Sequence, residues 1–556
     1  MDSTRREFLT YSAMVAAGVG LFSDRGVGAA PQADGEFAVT DSLDVESFDG
    51  TTIEATLFEP AVDGEVPAIL MTHGWGGTRA DRRPLAEFYA SNGYVVLTYD
   101  SRGFGDSGGE VGVDGPNEVG DVVALLTWLA GRESVQTDGP ENPRVGMDGY
   151  SYGAGIQLQS AITEDRLDAL VPRWAWHDLR FSNDPNRVLK WAWFFGLYQS
   201  GIANGEPNDR FLDLSRQAVE NREASPELRR FWETRSPVGK LGRIETPTLL
   251  VSGWEDRLFT PNEAFANYRG LRDTGTDTRL VLYDFGHDFV DSGGPTPTQT
   301  QFADTAALAW FDQHLKDGED ADVAPVTLYR SQSETFEEYD ALPDGADPAS
   351  LGTARPGRET RLHGDDADGV SFDFHVREGF DLVGTPRCWL DVTPHDESGS
   401  SAPHLFGALY DVAPSGEATL LKDQVAATLV EDAGLLAFDL VGVERHVAAG
   451  HTLRLSLTLN DDALVESAVP FEDGLHVDSD PEDAVTVHHS RTDPSTLAVP
   501  TLDGPVELAG RPGQSGTGNG KENRKGGESG ENGHGKGTGG GESGGNGNGN
   551  GGGEGN

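Results

Sequence analysis

A serine set between two glycines, Gly149-Tyr150-Ser151-Tyr152-Gly153, follows the short run Val145-Gly146-Met147 and opens the helix-compatible stretch Ala154 to Gln159. Gly-x-Ser-x-Gly in that setting predicts a sharp strand-to-helix turn that lifts a serine hydroxyl clear of a sheet. The glycines answer to the crowding of backbone around such a turn, and the serine between them is held in a strained conformation. A helix starting directly behind it offers free N–H groups and a positive dipole to a developing oxyanion. Two further residues stand just past strand-like runs downstream: Asp256 after Thr248 to Gly253, and His287 after Thr278 to Tyr283. A serine hydroxyl attacks a carbonyl only when an imidazole takes its proton, and a carboxylate must fix the imidazole tautomer. Ser151, His287 and Asp256 are therefore the candidate nucleophile, base and acid. Glu255 competes for the acid's place; Asp256 is preferred for its position in the Gly-x-x-Asp stretch Gly253-Trp254-Glu255-Asp256.

The elements that must position these residues alternate in type. Phe37 to Leu43 and Thr52 to Phe58 read as opening strands around Asp49-Gly50. Val66 to Met71 and Tyr94 to Tyr99 are continuous apolar runs, as expected of strands buried on both faces. Between and after them, Arg83 to Asn92 and Val119 to Leu129 have helical spacing. Strand, helix, strand, helix in this form predicts a mostly parallel sheet with helices on both faces. The order Ser, acid, His at strand ends is that of α/β-hydrolases. One oxyanion donor should be the backbone N–H of Tyr152, and the other should come from the loop His73-Gly74-Trp75. His73 itself is read as a brace for that loop, Asp100 and Arg102 as a structural pair, and His314 as a surface or packing residue.

Three segments depart from the alternation. From Trp174 to about Lys240, aromatics at helical spacing (Trp174, Trp176, Trp191, Trp193, Phe194, Phe195) predict a helical cap over the sheet edge. Most of them should form the cap's own core, with a few lining an apolar substrate pocket. After the acidic stretch Asp317 to Asp322, short alternating segments separated by turns predict an antiparallel sandwich. From Arg511 the chain is Gly, Asn, Glu and Ser without apolar content, a composition that does not fold. At the other end, Thr4-Arg5-Arg6-Glu7-Phe8-Leu9 and the apolar run to Phe22 read as a twin-arginine signal. Gly28, Ala29 and Ala30 suit cleavage; an uncleaved anchor is the alternative. The run is too short for a stable membrane span, and the protein is expected to be secreted or at the cell surface.

The expected divisions are a signal at 1–35, an α/β-hydrolase domain at 36–318 with its cap at about 174–240, a sandwich at 319–505, and a disordered tail at 506–556. With 92 acidic against 42 basic residues the formal net charge is −50. That excludes a phosphate-binding footprint and hence nucleic-acid partners. Acidic residues spread along the whole length fit a protein adapted to high salt, where self-repulsion is screened. The scattered carboxylates show no ligand geometry, so no metal or other cofactor is expected. The single cysteine, Cys388, lies in a strand-like run and reads as a buried, inert thiol.

On the residues Gly149 to Gly153, Gly253-Trp254-Glu255-Asp256-Arg257-Leu258-Phe259 and Gly286-His287, the chain resembles the X-prolyl dipeptidyl-peptidase and cocaine-esterase (CocE/NonD-type) family. His446 to Leu455, His489-Ser490 and Pro494 to Leu497 extend the resemblance into the second domain, so that it covers about residues 37–502. It implies an α/β-hydrolase with a helical cap, a C-terminal jelly-roll sandwich, and hydrolysis of a small ester or of the bond after Xaa-Pro. Family members commonly place a tyrosine hydroxyl in the oxyanion hole, where this chain has Trp75, leaving its indole or its backbone as the donor. The leading expectation is an exported serine hydrolase resembling the dipeptidyl-peptidases. An acyl esterase without peptidase activity is the alternative within the class, and a catalytically inactive surface binding protein the alternative outside it.

Overall fold

A computed structural model of the chain describes residues 35–510, apart from 288–294, 317, 319–322, 344–346, 356, 367–368, 396–401, 462–475, 491–494, 503, 505 and 507. The expected signal segment, with Arg5 and Arg6, and the expected tail beyond residue 510 lie outside the described residues, as does most of the acidic stretch 317–322.

Ten strands form the central sheet: β1 (Phe37–Glu46), β2 (Thr52–Pro60), β3 (Ala68–Thr72), β4 (Val95–Tyr99), β5 (Val145–Tyr150), β6 (Ala169–Arg173), β7 (Thr248–Gly253), β8 (Thr278–Tyr283), β9 (Val326–Arg330) and β10 (Thr335–Tyr339). Their order is β1-β2-β4-β3-β5-β6-β7-β8-β9-β10. From β4 to β9 all neighbours are parallel, and β1, β2 and β10 pair antiparallel at the two edges. Every residue of β3 and β4 is buried, because helices cover both faces and strict alternation of side chains then gives two apolar surfaces. Leu70, Leu97 and Met147 pack with helices α2 (Pro116–Ala130) and α3 (Tyr152–Ala161) on one face. Ile69, Met71, Val96 and Val251 pack on the other with α1 (Arg83–Ser91) and the long α9 (Pro297–Leu315), through Tyr89, Trp310 and Phe311.

The insertion after β6 is helical, as its spacing predicts: α4 (Leu179–Asn183), α5 (Trp191–Asn204), α6 (Asp209–Asn221) and α7 (Pro226–Thr234), before α8 (Pro261–Asp273) returns the chain to the sheet. Its aromatics, apart from Trp174, which packs against Tyr150 and Phe285, form one cluster in which Trp191 stacks on Phe195. That cluster also takes in Trp75 and Tyr152, so the cap is packed directly on the two loops beside the serine.

Beyond β10 the strands are short and antiparallel. Two six-stranded sheets, one centred on Arg387–His395 and the other on His404–Val412 and Thr452–Thr458, enclose a separate apolar core. Cys388 lies in that core, fully buried, and burial pushes its thiol well above the ordinary range. One boundary differs from expectation. Val326–Arg330 and Thr335–Tyr339 lie after residue 318, yet they extend the central sheet as β9 and β10 rather than starting the sandwich. Alternating residues look alike in either sheet; the partner decides, and β9 pairs with β8 through Leu280 to Leu282. Among the described residues no helix is long and apolar enough to cross a membrane.

Candidate active site

Ser151 joins β5 to α3 with φ 55° and ψ −114°, a left-handed region that non-glycine residues enter at a cost of order 1–3 kcal/mol. The flanking glycines show why the motif is needed. A Cβ on Gly149 would lie 2.6 Å from the Gly153 carbonyl oxygen, and one on Gly153 would lie 2.6 Å from that of Thr72. The turn is anchored by the Ser151 N–H, which donates to Arg173 O at 2.8 Å.

Beneath the turn lies a charge network that spacing does not announce. The carboxylate of Asp148 in β5 is fully buried and accepts from Arg173 (2.9 Å), Arg82 (3.1 Å) and the Tyr89 hydroxyl (2.8 Å). Arg173 reaches on to Asp304 in α9 at 2.7 Å. The Arg82 guanidinium also lies over the ring of Tyr150, 4.8 Å from its centre, next to the serine. Two buried cations sharing carboxylates in this way fix the elbow to the helices on one face of the sheet.

Asp256 and His287 meet. Asp256 Oδ2 accepts from His287 Nδ1 at 2.6 Å, while Asp256 Oδ1 accepts the N–H groups of Leu258 (2.9 Å) and Phe259 (2.8 Å). The aspartate is fully buried, and the Glu255 N–H beside it donates to Phe285 O at 3.2 Å, tying its loop to the histidine loop. Gly286 permits that approach: a Cβ there would be 2.2 Å from the Asp256 Cα. With Nδ1 donating to the acid, His287 Nε2 is left as the free position of the ring. Nε2 is buried and has no hydrogen-bond partner among the described residues, so no hydrogen bond runs to Ser151. The ring is boxed by Phe259, Trp174 and Trp193, at centroid distances of 4.9, 5.9 and 6.3 Å.

Phe259 connects this pair to the serine, since it and Ser151 line one cavity of about 50 Å³. Trp75, Trp176, Phe194, Phe211 and Trp232 form much of the rest of its wall. Asn183 and Ser151 are the polar side chains in a lining otherwise aromatic or aliphatic, the Tyr152 hydroxyl aside. That hydroxyl accepts from the Asp114 N–H at 3.3 Å.

Among the expected oxyanion donors, Tyr152 opens α3, so its N–H has no helical carbonyl before it. The Trp75 indole N–H is taken by Leu197 O at 2.9 Å, and its ring packs edge-on against Phe104, Tyr152 and Phe211. Of the two routes left open for Trp75, the backbone N–H is the one not engaged by a carbonyl among the described residues.

His73 braces its loop: Nδ1 contacts Gly74 O at 2.7 Å and Nε2 accepts from the Ser101 N–H at 3.0 Å. Burial pushes its imidazole below the ordinary range. Asp100 and Arg102 do not pair, contrary to expectation. Asp100 caps its own loop by accepting from the Asp106 N–H at 2.9 Å and binds Arg79. Arg102 turns away to Asp49 and Asp121 at 2.8 and 2.6 Å. His314 packs on Trp310 in α9.

Two further residues hold the acid loop from outside the sheet. Lys190, at the entry to α5, donates through Nζ to Arg257 O (2.8 Å) and Leu258 O (3.0 Å), and burial pushes its ammonium down to about 8. Gln424, from the sandwich, donates to Trp254 O and Asp256 O. Among the described residues no group of three or more His, Cys, Asp and Glu side chains is arranged to hold a metal ion.

Residues 49–288 match the model of the X-Pro dipeptidyl-peptidase (S15) family. A cocaine esterase of Rhodococcus sp. is 24% identical over 346 residues, which is 52% of this chain and 57% of that protein. The quorum-quenching protein AidA of Acinetobacter baumannii is 35% identical over 134 residues, 23% of this chain and 42% of that one. The chain thus spans about half the length of these curated relatives. Among solved structures, a CocE/NonD family hydrolase from Staphylococcus aureus superposes with a TM-score of 0.66 at 16% identity, covering 84% of this chain and 94% of the other. An α-amino acid ester hydrolase gives 0.64 at 16% identity, over 85% and 98%. At that identity the likeness concerns the fold.

Proposed function

We propose that this chain, whose residues 49–288 match the X-Pro dipeptidyl-peptidase (S15) family and which resembles a cocaine esterase, is a serine hydrolase of that family and within it an esterase for small esters with an apolar acyl group. In this reading Ser151 Oγ attacks the ester carbonyl while His287 Nε2 takes its proton, and Asp256 holds the imidazole with Nδ1 protonated. The oxyanion accepts from the backbone N–H groups of Tyr152 and Trp75. The alcohol leaves with the proton that His287 carried, and water, activated by the same nitrogen, frees the acid from Ser151. Contact between Ser151 and His287 closes as substrate settles, as catalytic hydrogen bonds commonly do.

One observation carries the choice of ester over peptide. The cavity at Ser151 is walled by Trp, Phe, Leu and Val side chains, with no carboxylate in its lining among the described residues. The free ammonium of an Xaa-Pro substrate would be desolvated there without a counter-charge, at a cost of several kcal/mol. An apolar acyl group pays no such penalty. Export by the twin-arginine route and a high-salt setting complete the proposal and rest on the sequence alone.

The experiment compares short p-nitrophenyl esters with Xaa-Pro anilides in high salt. Ester turnover without anilide cleavage is expected; anilide cleavage of equal efficiency would overturn the assignment in favour of the peptidase. Failure of a fluorophosphonate to label Ser151 in folded protein would leave the inactive binding protein as the better reading.

A further inference from the structure

The hydrolase region and the sandwich are joined at several places, and one of these touches the acid–base pair itself. In the sandwich, the turn Leu421–Asp423 is followed by Gln424, which is buried and donates through Nε2 to Trp254 O and Asp256 O, both at 3.0 Å. Those carbonyls flank Glu255 and bracket the acid loop. On its Gly253 side the loop's own turn bond, from the Asp256 N–H to Gly253 O, is long at 3.5 Å, in contrast to the bonds that Asp256 Oδ1 accepts on the Leu258 side. Two residues earlier, Lys422 Nζ lies 2.5 Å from Asp284, which precedes His287 by three positions. Asp423 faces Arg257 at 3.5 Å. Lys422 and Asp423 adopt φ of 55° and 51°, so the turn carries backbone strain where it meets both loops.

Docking of the sandwich does not depend on these contacts. Asn262 of α8 donates to Leu440 O (2.9 Å) and accepts from the Gly442 N–H (2.7 Å), and Arg330 of β9 binds Glu444 (2.6 Å) and Asp381 (2.5 Å). We propose that Gln424 is a positioning residue of the active site: by holding the acid loop from the sandwich side, it sets the Asp256 carboxylate against His287 Nδ1. The sandwich is then part of the catalytic machinery rather than an appended domain. The inference rests on Asp256 and His287 being the acid and the base.

The test uses the full chain with Gln424→Ala, and Gln424→Met to keep the volume while removing both donors should the alanine variant fail to fold. Asn262→Ala loosens the same domain interface away from the loops and is the control. Kinetics on a p-nitrophenyl ester should show kcat of the Gln424 variant down about 10–100-fold, the cost of a misplacement of order 1 Å, with KM near that of the wild type. Asn262→Ala should lose stability and keep kcat. A Gln424 variant with kcat within about twofold of wild type, or an equal fall of kcat in Asn262→Ala, would overturn the proposal. A second readout does not need turnover: the low-field proton signal of His287 Nδ1–H, identified by its loss in His287→Ala. It should weaken or vanish in the Gln424 variant and persist in Asn262→Ala; persistence in both variants refutes the inference. If the wild type hydrolyses no ester, the esterase reading fails while this signal still decides the role of Gln424.

Discussion

Replacing Asp256 by asparagine changes one atom and should nearly silence the enzyme, for a reason visible in the hydrogen bonds around it. Oδ1 of Asp256 accepts two backbone N–H groups, from Leu258 and Phe259 at 2.9 and 2.8 Å. An asparagine must therefore keep its carbonyl oxygen at that position. Turning the amide over would confront two buried donors with an NH2 group, at about 1–3 kcal/mol for each bond lost. Even the low end of that range favours the unturned amide by more than tenfold. The NH2 then faces His287 Nδ1, where the carboxylate now accepts at 2.6 Å. Nδ1 must become an acceptor, its proton moves to Nε2, and the nitrogen meant to take the proton of Ser151 already carries one. A loss of about 10⁴ in kcat is expected, the size associated with the wrong tautomer in serine hydrolysis. The assay is steady-state ester hydrolysis at neutral pH on Asp256→Asn shown to be folded by its denaturant midpoint. A folded variant within about tenfold of wild-type kcat would refute the tautomer reasoning. Glu255→Gln, run beside it, should stay near wild type; if that variant is the damaged one, the acid is Glu255.

Three further outcomes follow from the packing. Gly153→Ala drives a Cβ to 2.6 Å from Thr72 O, a backbone atom that cannot yield, so fluorophosphonate labelling of Ser151 should fall to background; normal labelling would contradict the close-packed elbow. Asp148→Asn leaves Arg82 and Arg173 short of buried charge compensation, and equilibrium unfolding should register a loss of about 3–5 kcal/mol. Glu263, which accepts the N–H groups of His177 and Asp178, is raised by burial from 4.5 to about 7. Folded protein therefore holds this proton more tightly than the unfolded chain, and the group's contribution to stability falls as pH rises from 4.5 to 7. Measured against Glu263→Gln, the wild type should lose about 3 kcal/mol over that window; a gap that does not change with pH would refute the assignment.

The elements around the serine were legible because each is written locally. The run Val66 to Met71 overlaps the strand Ala68–Thr72, and the glycine spacing at 149 and 153 marks a turn whose crowding the structure explains atom by atom. His287 and Asp256 were legible from their places after strands, and the structure brings them together. What escaped is long-range. Gln424 lies 168 residues from the carbonyl it holds at Asp256, and no periodicity records such a meeting. Asp148 carries no local signal, since its partners Arg82, Arg173 and Tyr89 come from three different elements. The Trp75 indole looked available for an oxyanion until the cap supplied Leu197 O to occupy it. Asp100 and Arg102 looked like a pair by proximity, yet each had a better partner folded over it from elsewhere.

The lone sulfhydryl at Cys388 sits in the sandwich core with none of its surface in contact with solvent. It is therefore silent toward alkylating reagents as long as those β-sheets stay closed, and no second thiol in the chain can confuse the reading. Nature has in effect placed a single clock inside one half of the molecule: the rate at which a maleimide consumes it times the opening of that half.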